Sequence, residues 1–184
     1  MMKRHEVEIR EGLLLMAFAF IIVAVTRGLL VVPIVVEGQS MMPALSHEDR
    51  VVVNKAGYWF SEPSTFDVVV FHATPEKDYI KRIIATPGDK LNYAHNELYL
   101  NEQKIEEPFL REYPDEIKEH TLTPDFTLEG VTGEVTVPEG YVFVLGDNRN
   151  HSLDSRAFGL VSIDDIIGKA SFTFWPVSRL GFVP

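Results

Sequence analysis

The sequence contains no cysteine among its 184 residues. This absence excludes disulfide-stabilised scaffolds, thiolate metal sites and a cysteine nucleophile. Basic residues are also few, with 17 lysines and arginines against 27 aspartates and glutamates, and the net charge is −10. This shortage argues against nucleic acid as a partner, because neutralising phosphates requires clustered positive charge. The six histidines are dispersed without paired metal-ligand spacing, so we expect neither a metal site nor a cofactor.

The acidic residues are concentrated in one segment of the chain. Residues 92–139 contain twelve acidic residues and three basic ones, whereas the remainder is nearly neutral. An apolar content of 46 % is ordinary for a chain that folds around a core, and the length suits one domain with a small insert. The acidic segment is interpreted either as a well-solvated surface module or as a patch that selects basic partners.

A long apolar stretch lies near the N-terminus. Residues 13–25 are unbroken by any polar side chain, and with residues 29–32 the stretch reaches the length of about 20 residues that a membrane-spanning helix needs. A cleaved signal peptide is the alternative, but Thr-Arg-Gly at positions 26–28 followed by more apolar residues is a poor cleavage site. We therefore predict an uncleaved helical anchor over residues 13–32. Basic residues before the span favour a cytoplasmic N-terminus.

The rest of the sequence is typical of a β domain. Short β-branched runs separated by Gly, Pro and Asn predict strands, and Asn101-Glu102 predicts the turn of a hairpin. No periodic helix longer than two turns is expected after the anchor, and residues 106–129 are expected to form a loop excursion. The predicted strands cover residues 31–36, 50–54, 67–71, 79–86, 97–105, 134–145 and 170–175.

Three segments carry residues suited to catalysis. In residues 38–45, Ser40 follows a glycine-containing turn, where a hydroxyl nucleophile and backbone donors for an oxyanion can meet. In residues 78–89, Lys81 lies inside an apolar strand, which indicates either a buried lysine or an edge strand. Residues 146–159 are dense in polar side chains, as in a hydrogen-bonded scaffold built on an Asp–Arg pair. Each segment also has an ordinary interpretation as a turn, an edge strand and a surface loop.

A Ser–His–Asp triad is a weaker hypothesis. His151, Ser152 and Asp154 are close in sequence, but neighbours within one loop rarely point at one another. His47 and His72 are other candidate bases, and nothing in the sequence selects among them.

In this order behind an apolar segment, the three segments resemble bacterial type I signal peptidases. Residues 40–45 read Ser-Met-Met-Pro-Ala-Leu, similar to the family's Ser-Met-x-Pro-Thr-Leu. Residues 79–84 read Tyr-Ile-Lys-Arg-Ile-Ile and precede Pro-Gly-Asp, as in its lysine motif. Residues 146–159 match Gly-Asp-Asn-Arg-x-x-Ser-x-Asp-Ser-Arg-x-x-Gly at every fixed position.

The resemblance implies a mostly β fold in which a transmembrane helix precedes an antiparallel catalytic domain with a smaller inserted β module. The expected organisation is a cytoplasmic N-terminus over residues 1–12 and a membrane helix over 13–32. The catalytic domain then takes residues 33–91 and 139–184, and the acidic module takes residues 92–138.

The resemblance also implies a Ser–Lys dyad mechanism. Ser40 is expected to attack the scissile carbonyl and Lys81 to act as the general base, which requires the lysine to be neutral. Ser152 resembles the serine that orients the lysine, whereas Asp154 and Arg156 resemble the charged pair that holds the site. Gly38 stands where some relatives carry a serine that binds the oxyanion, so the second oxyanion donor here is left open.

The implied substrates are exported preproteins that are cut after small-x-small motifs such as Ala-x-Ala. The expected location is the outer face of the cytoplasmic membrane, in contact with lipid and near the translocon. Five apolar residues stand at the family's substrate-pocket positions, and they have an equally good interpretation as core: Val36, Met41, Leu45, Tyr79 and Ile80.

Two other functions remain open from the sequence. One is a catalytically silent relative that acts as a membrane-bound binding module. The other is a Ser–Lys protease with a different duty, such as a pilus or mitochondrial maturation peptidase.

Overall fold

The computed structural model describes residues 11–19, 30–111 and 122–184. Residues 11–19 are helical. Half of the predicted anchor, residues 20–29, lies outside the described residues. Among the helices that are described, none is long and apolar enough to cross a membrane.

The C-terminal end of the predicted anchor was wrong. Val31 and Val32 belong to the first strand, where they pair with Asn54 and Val53 of the second strand. Both are β-branched and lose side-chain freedom in a helix, whereas an antiparallel ladder accommodates them without that cost.

The described chain is mostly β, as predicted. Its strands, numbered in chain order, are β1 (Val31–Val35), β2 (Arg50–Asn54), β3 (Val68–Thr74), β4 (Lys77–Ala85), β5 (Leu91–Ala94), β6 (Glu97–Leu100), β7 (Gln103–Ile105), β8 (Phe126–Thr127), β9 (Tyr141–Leu145), β10 (Val161–Ser162), β11 (Ile166–Trp175) and β12 (Gly181–Phe182). Short helices of four or five residues cover Gly57–Phe60, Pro108–Arg111, Leu128–Thr132 and Ser155–Phe158.

The strands form two antiparallel sheets. The larger sheet has the order β1-β2-β11-β3-β4-β9-β10, with β12 paired to β11. The smaller sheet has the order β7-β6-β5-β8 and is inserted in the chain between β4 and β9. We call it the second sheet. The expected loop excursion is therefore partly structured, because it contains β8 and two short helices.

The predicted hairpin is present in the second sheet. β6 and β7 pair from Leu98–Ile105 to Leu100–Gln103, and Asn101 and Glu102 connect them with φ of 52° and 68°. Positive φ at both central residues is what a two-residue turn with the twist of a hairpin requires.

Residues 134–137 do not form the predicted strand. Val137 instead exchanges backbone hydrogen bonds with the turn after β4, donating to the Asp89 carbonyl and accepting from the Gly88 N–H. Its buried side chain packs into the core beneath that turn. Four short strands, β5, β8, β10 and β12, were not predicted.

The core beneath the site is shared between the two sheets. Ile84 and Phe143 from the larger sheet pack with Leu91, Tyr93 and Leu98 from the second sheet. A separate cluster lies between β1, β2, β3 and residues 36–45, and it includes Val36, Met41 and Leu45. β4 contributes Ile84 to the first cluster and Ile80 to the second, so both clusters hold this strand in place.

Candidate active site

Ser40 lies on a turn over residues 38–45 that follows β1, and we call this turn the reactive turn. Gly38 allows the turn, since its φ of +90° is a conformation that side-chain-bearing residues rarely adopt. The chain then closes on itself, because the N–H of Met42 donates to the Gln39 carbonyl and that of Leu45 donates to the Met41 carbonyl. Burial of Met41 and Leu45 anchors the turn in the core and leaves Ser40 at its surface.

Two distant segments hold this turn. From the last part of the chain, Arg179 donates from Nη2 to the carbonyls of Pro43 and Ala44, at 3.0 Å each, and from Nε to Asp49 at 2.9 Å. From the other side, Asn148 donates from its backbone to the Ser40 carbonyl and from Nδ2 to the Gln39 carbonyl, at 3.0 and 3.1 Å. These contacts span more than a hundred residues, so the position of the turn depends on the finished fold.

Lys81 and Ser40 are in hydrogen-bond contact. The Lys81 Nζ lies 2.7 Å from the Ser40 Oγ and donates to its neighbour's carbonyl, Ile80 O, at 3.0 Å. The lysine is 4 % exposed. An amine this close to a hydroxyl is positioned to take its proton if the amine is neutral.

Burial lowers the pKa of Lys81 from its usual 10.5 to about 8. Removal of the ammonium from water disfavours the charged form, and the nearby carboxylates of Asp154 and Asp147 only partly offset this effect. At pH 7 about a tenth of the molecules therefore carry a neutral Lys81. The arrangement meets the electronic requirement of a general base.

Lys81 and the next residue, Arg82, lie on opposite faces of β4, because side chains alternate along a strand, yet both are buried. The Arg82 guanidinium forms a bidentate pair with Asp147, at 2.9 and 2.7 Å, and also donates to the Phe66 carbonyl. The buried Asp–Arg pair expected of residues 146–159 is thus present, although the sequence did not identify Arg82 as its partner.

β4 is an edge strand over part of its length. Residues 77–82 pair with β3 on one side, while pairing with β9 on the other side begins only at Arg82. Among the described residues, the second side of Lys77–Lys81 is left without a strand partner. The two sequence hypotheses for Lys81, a buried lysine and an edge lysine, are therefore both partly correct.

Asp154 pairs with Arg156. The Arg156 guanidinium donates to both carboxylate oxygens at 2.8 Å, and the Gly146 N–H donates to Oδ2 at 3.1 Å. Arg156 also donates to the Arg149 carbonyl, which closes the loop on itself. Asp154 is therefore fixed as part of the scaffold of residues 146–156.

Ser152 and Gly146 lie against the reactive turn. The Ser152 Oγ is buried and has no hydrogen-bond partner within the described part of the chain. A Cβ on Gly146 would stand 2.2 Å from that Oγ and 2.4 Å from the Ser40 carbonyl oxygen. Only glycine fits between them, and the unpaired hydroxyl is a group for which a catalytic role is a natural explanation.

An open cleft of about 710 Å³ runs past Ser40 and Lys81. Three of the five predicted pocket residues, Val36, Tyr79 and Ile80, line it. Met41 and Leu45 do not line it, because both are about 1 % exposed within the core that supports the reactive turn. They contribute to the site from behind its wall.

Of the three candidate histidine bases, His151 lines the cleft, whereas His47 and His72 do not. His72 is an exposed residue paired with Asp78, and His47 accepts from the Gly38 N–H through Nδ1 at 3.3 Å. His151 lines the cleft with its Nδ1 3.3 Å from the Asn148 Oδ1. In the described ranges, no three histidine or carboxylate side chains converge as a metal site would require.

Comparison with known proteins agrees with the geometry. The family model described as signal peptidase, peptidase S26, matches residues 9–175. The chain is 46 % identical to signal peptidase I of Bacillus caldolyticus over 164 residues, which are 89 % of this chain and 90 % of that protein. It is 41 % identical to signal peptidase IB of Staphylococcus aureus strain COL, over 94 % of this chain and 92 % of that protein.

A solved structure is also similar. The crystal structure of a signal peptidase I from Enterococcus faecalis V583 superposes with a TM-score of 0.52 at 36 % sequence identity. The match covers 60 % of this chain and 98 % of the crystallised one.

Proposed function

This chain belongs to the signal peptidase family, peptidase S26, and on that premise we propose that Ser40 and Lys81 are its catalytic dyad. It is a serine peptidase of the signal peptidase I type, whose function is the removal of signal peptides from exported preproteins. The observation that carries the dyad is the 2.7 Å contact between the Ser40 hydroxyl and a buried lysine whose pKa is lowered to about 8.

The proposed reaction begins at the Ser40 hydroxyl. Neutral Lys81 takes the proton from Oγ as the oxygen attacks the scissile carbonyl, and the resulting ammonium gives that proton to the departing amine. This leaves an acyl-enzyme ester on Ser40 and a free new N-terminus on the mature protein. Lys81, neutral again, then takes a proton from water as the water attacks the ester, and the resulting ammonium gives this proton to the Ser40 Oγ as the acyl group leaves as a carboxylic acid.

The oxyanion of each tetrahedral intermediate is proposed to accept from the backbone N–H of Ser40. This amide donates to no acceptor among the described residues, which leaves it available. Gly38, with its positive φ and no atom within 4 Å of a would-be Cβ, keeps the approach to this amide open. Ser152 is proposed to orient Lys81 only during the reaction, because its buried hydroxyl has no partner among the described residues in the resting site and is free to accept from the ammonium, while Asp154 and Arg156 fix the loop.

The substrate is proposed to be an extended segment that ends in small residues, as in Ala-x-Ala. The unpaired side of Lys77–Lys81 borders the cleft, and an extended peptide can bind such an edge through main-chain hydrogen bonds. Side chains that alternate along this peptide would meet Val36, Tyr79 and Ile80, with Met41 and Leu45 supporting the wall.

The domain organisation is proposed in the same terms. A single membrane anchor is proposed to lie within residues 13–30, since β1 begins at Val31, with residues 1–12 on the cytoplasmic side. Residues 31–91 and 139–184 form the catalytic domain, and residues 92–138 form the inserted module. The short distance in sequence from Leu30 to Ser40 keeps the cleft near the outer membrane surface, close to lipid and to preproteins that leave the translocon.

The test is cleavage of a purified preprotein with an Ala-x-Ala site, in detergent micelles, followed by N-terminal sequencing of the product. Wild type is expected to cut after the second Ala, and Ser40→Ala and Lys81→Met are expected to be inactive. Ser171→Ala and Lys90→Met, at positions outside the cleft, serve as matched controls with full activity. A second preprotein carrying Leu-x-Leu at the same site is expected to remain uncut.

Each contrary result points to a defined alternative. A folded wild type that cuts nothing would favour the silent binding module. Cleavage of a pilin-type leader but not of the Ala-x-Ala preprotein would favour a maturation peptidase of different duty. Retained cleavage by Lys81→Met would contradict the dyad and return attention to His151.

A further inference from the structure

The second sheet reaches the reactive turn through a buried ion pair. Glu107, which follows β7, accepts at Oε1 from the Arg149 Nη2 at 2.6 Å. The side chain of Arg149 is fully buried and that of Glu107 is 9 % exposed. A buried ion pair is stable only when its hydrogen-bond geometry is good, and removal of one partner leaves the other charge buried and unpaired.

Two further residues of the inserted segment complete the cage around Arg149. The Tyr93 hydroxyl donates to the Glu107 Oε1 at 2.7 Å and accepts from the Arg149 Nη1 at 2.9 Å. Thr123 accepts from the same Nη1 at 2.7 Å. Burial raises the pKa of Tyr93, so its hydroxyl keeps the proton that it donates.

The remaining contact of this guanidinium leads to the active site. The Arg149 Nε donates to the Gly146 carbonyl at 3.1 Å, and Gly146 lies against the Ser40 carbonyl and the Ser152 hydroxyl. The residue before Arg149 is Asn148, which donates to the carbonyls of Gln39 and Ser40. Glu107 is therefore linked to the backbone of Ser40 by its ion pair with Arg149, by the peptide bond from Arg149 to Asn148, and by the hydrogen bond from the Asn148 N–H to the Ser40 carbonyl.

We propose that Glu107 is a positioning residue for Ser40, and that the second sheet serves catalysis by fixing Arg149. The inference rests on the proposed function, because it concerns the placement of the same serine. Glu107 touches neither the cleft nor Lys81, so it acts only through residues 146–149. A second contact also joins the inserted segment to β4, since the Arg82 guanidinium lies 3.8 Å from the ring centroid of Phe109.

Positioning predicts a particular kinetic signature. Most of the residues that line the cleft belong to β1, β4 and residues 36–40, and only His151 and Leu153 of the described lining come from the loop that Arg149 holds. Substrate binding should therefore change little when Glu107 is replaced. Displacing a nucleophile by about 1 Å can cost as much as a hundredfold in rate. The loss should therefore fall on kcat and leave KM and the pH midpoint unchanged.

The experiment compares full-length Glu107→Gln with Glu134→Gln, which changes an exposed glutamate of the same acidic segment. With the Ala-x-Ala preprotein, Glu107→Gln is expected to lower kcat at least about tenfold with KM within about twofold, whereas Glu134→Gln leaves both unchanged. Amide hydrogen exchange at Asn148, whose N–H donates to the Ser40 carbonyl, is expected to accelerate in Glu107→Gln only.

Tyr93→Phe keeps the test decisive if Glu107→Gln does not fold. It removes only the bridging hydroxyl and is expected to shift kcat and the Asn148 exchange rate in the same direction by a smaller factor. Unchanged kcat and unchanged exchange in a folded variant would overturn the proposal, as would an activity loss that tracks only the folded fraction. If wild type itself does not cut, the proposed function fails, and the exchange rates alone still decide whether Glu107 holds the turn.

Discussion

Lys81 is expected to destabilise the folded protein, and a methionine at the same position should restore the lost stability. A fall in the pKa from 10.5 in the unfolded chain to about 8 in the folded state corresponds to about 3 kcal/mol. Lys81→Met keeps the length of the side chain but carries no charge to desolvate. Loss of the hydrogen bond to Ser40 offsets about 1 kcal/mol, so we expect a net gain of about 2 kcal/mol at pH 7.

The gain should depend on pH in a defined direction. Between pH 8 and 10.5 the unfolded wild type binds the lysine proton while the folded state does not, so wild-type stability rises with pH in this window. The deficit relative to Lys81→Met is complete below pH 8 and disappears above 10.5. At pH 7 the gain should raise Tm by about 4–8 °C, since a chain of this size shifts by about 2–4 °C per kcal/mol.

The assay is thermal unfolding followed by circular dichroism in detergent micelles, at pH 7 and at intervals up to pH 10.5. Lys90→Met, at an exposed position, is the matched control and should change stability by less than about 0.5 kcal/mol at every pH. Other titrating groups are common to wild type and variant, so the difference between them isolates Lys81. A Lys81→Met protein that is less stable than wild type at pH 7, by the same amount as at pH 10.5, would refute the reasoning.

Three further substitutions test the scaffold around the dyad. Gly146→Ala places a Cβ 2.2 Å from the Ser152 Oγ and should lower kcat by about a hundredfold in the cleavage assay, whereas Gly181→Ala, with open space around it, should not. Asp147→Asn leaves the buried Arg82 guanidinium without a paired negative charge, so it should lower the free energy of unfolding in urea by about 3–5 kcal/mol. Ser152→Ala removes an unsatisfied buried hydroxyl, so it should raise stability by about 1 kcal/mol while lowering kcat.

Each of these three predictions has a control or a result that would contradict it. Asp78→Asn breaks an ion pair with His72 whose partners are both more than half exposed, so it should cost less than about 1 kcal/mol. If Asp147→Asn costs no more than Asp78→Asn, the buried pair does not support the loop. A Gly146→Ala enzyme with normal kcat would show that the reactive turn tolerates displacement, and a less stable Ser152→Ala would mean that its hydroxyl has a partner.

Local sequence signals were sufficient to predict the β fold. β-branched runs bounded by turn residues identified β2, β3, β4 and β11, and positive φ at Asn101 and Glu102 confirmed the hairpin. Strands of two residues such as β8 and β12 exist because a neighbouring strand offers them a partner, so no local pattern marks them. The strand predicted over residues 134–137 is absent for a related reason. The backbone of Val137 bonds to a turn that is distant in sequence and not to a neighbouring strand.

The candidate site was predictable where one residue is anomalous in its surroundings. A lysine inside an apolar strand, a serine after glycine and a polar loop of fixed pattern all pointed to the residues that now meet. The partners that hold them were not predictable. Arg179 and Glu107 lie outside the three segments, and their contacts with the turn and the loop arise only when the chain has folded.

The central claim is that neutral Lys81 activates Ser40, and the pH dependence of kcat/KM for the Ala-x-Ala preprotein tests it most directly. Because burial lowers the pKa of Lys81 to about 8, we predict that kcat/KM rises about tenfold per pH unit below that value and levels off above it. Lys81→Met should abolish the whole profile. A midpoint near 6.5, the value expected of a histidine base, or a profile that survives in Lys81→Met would contradict the account.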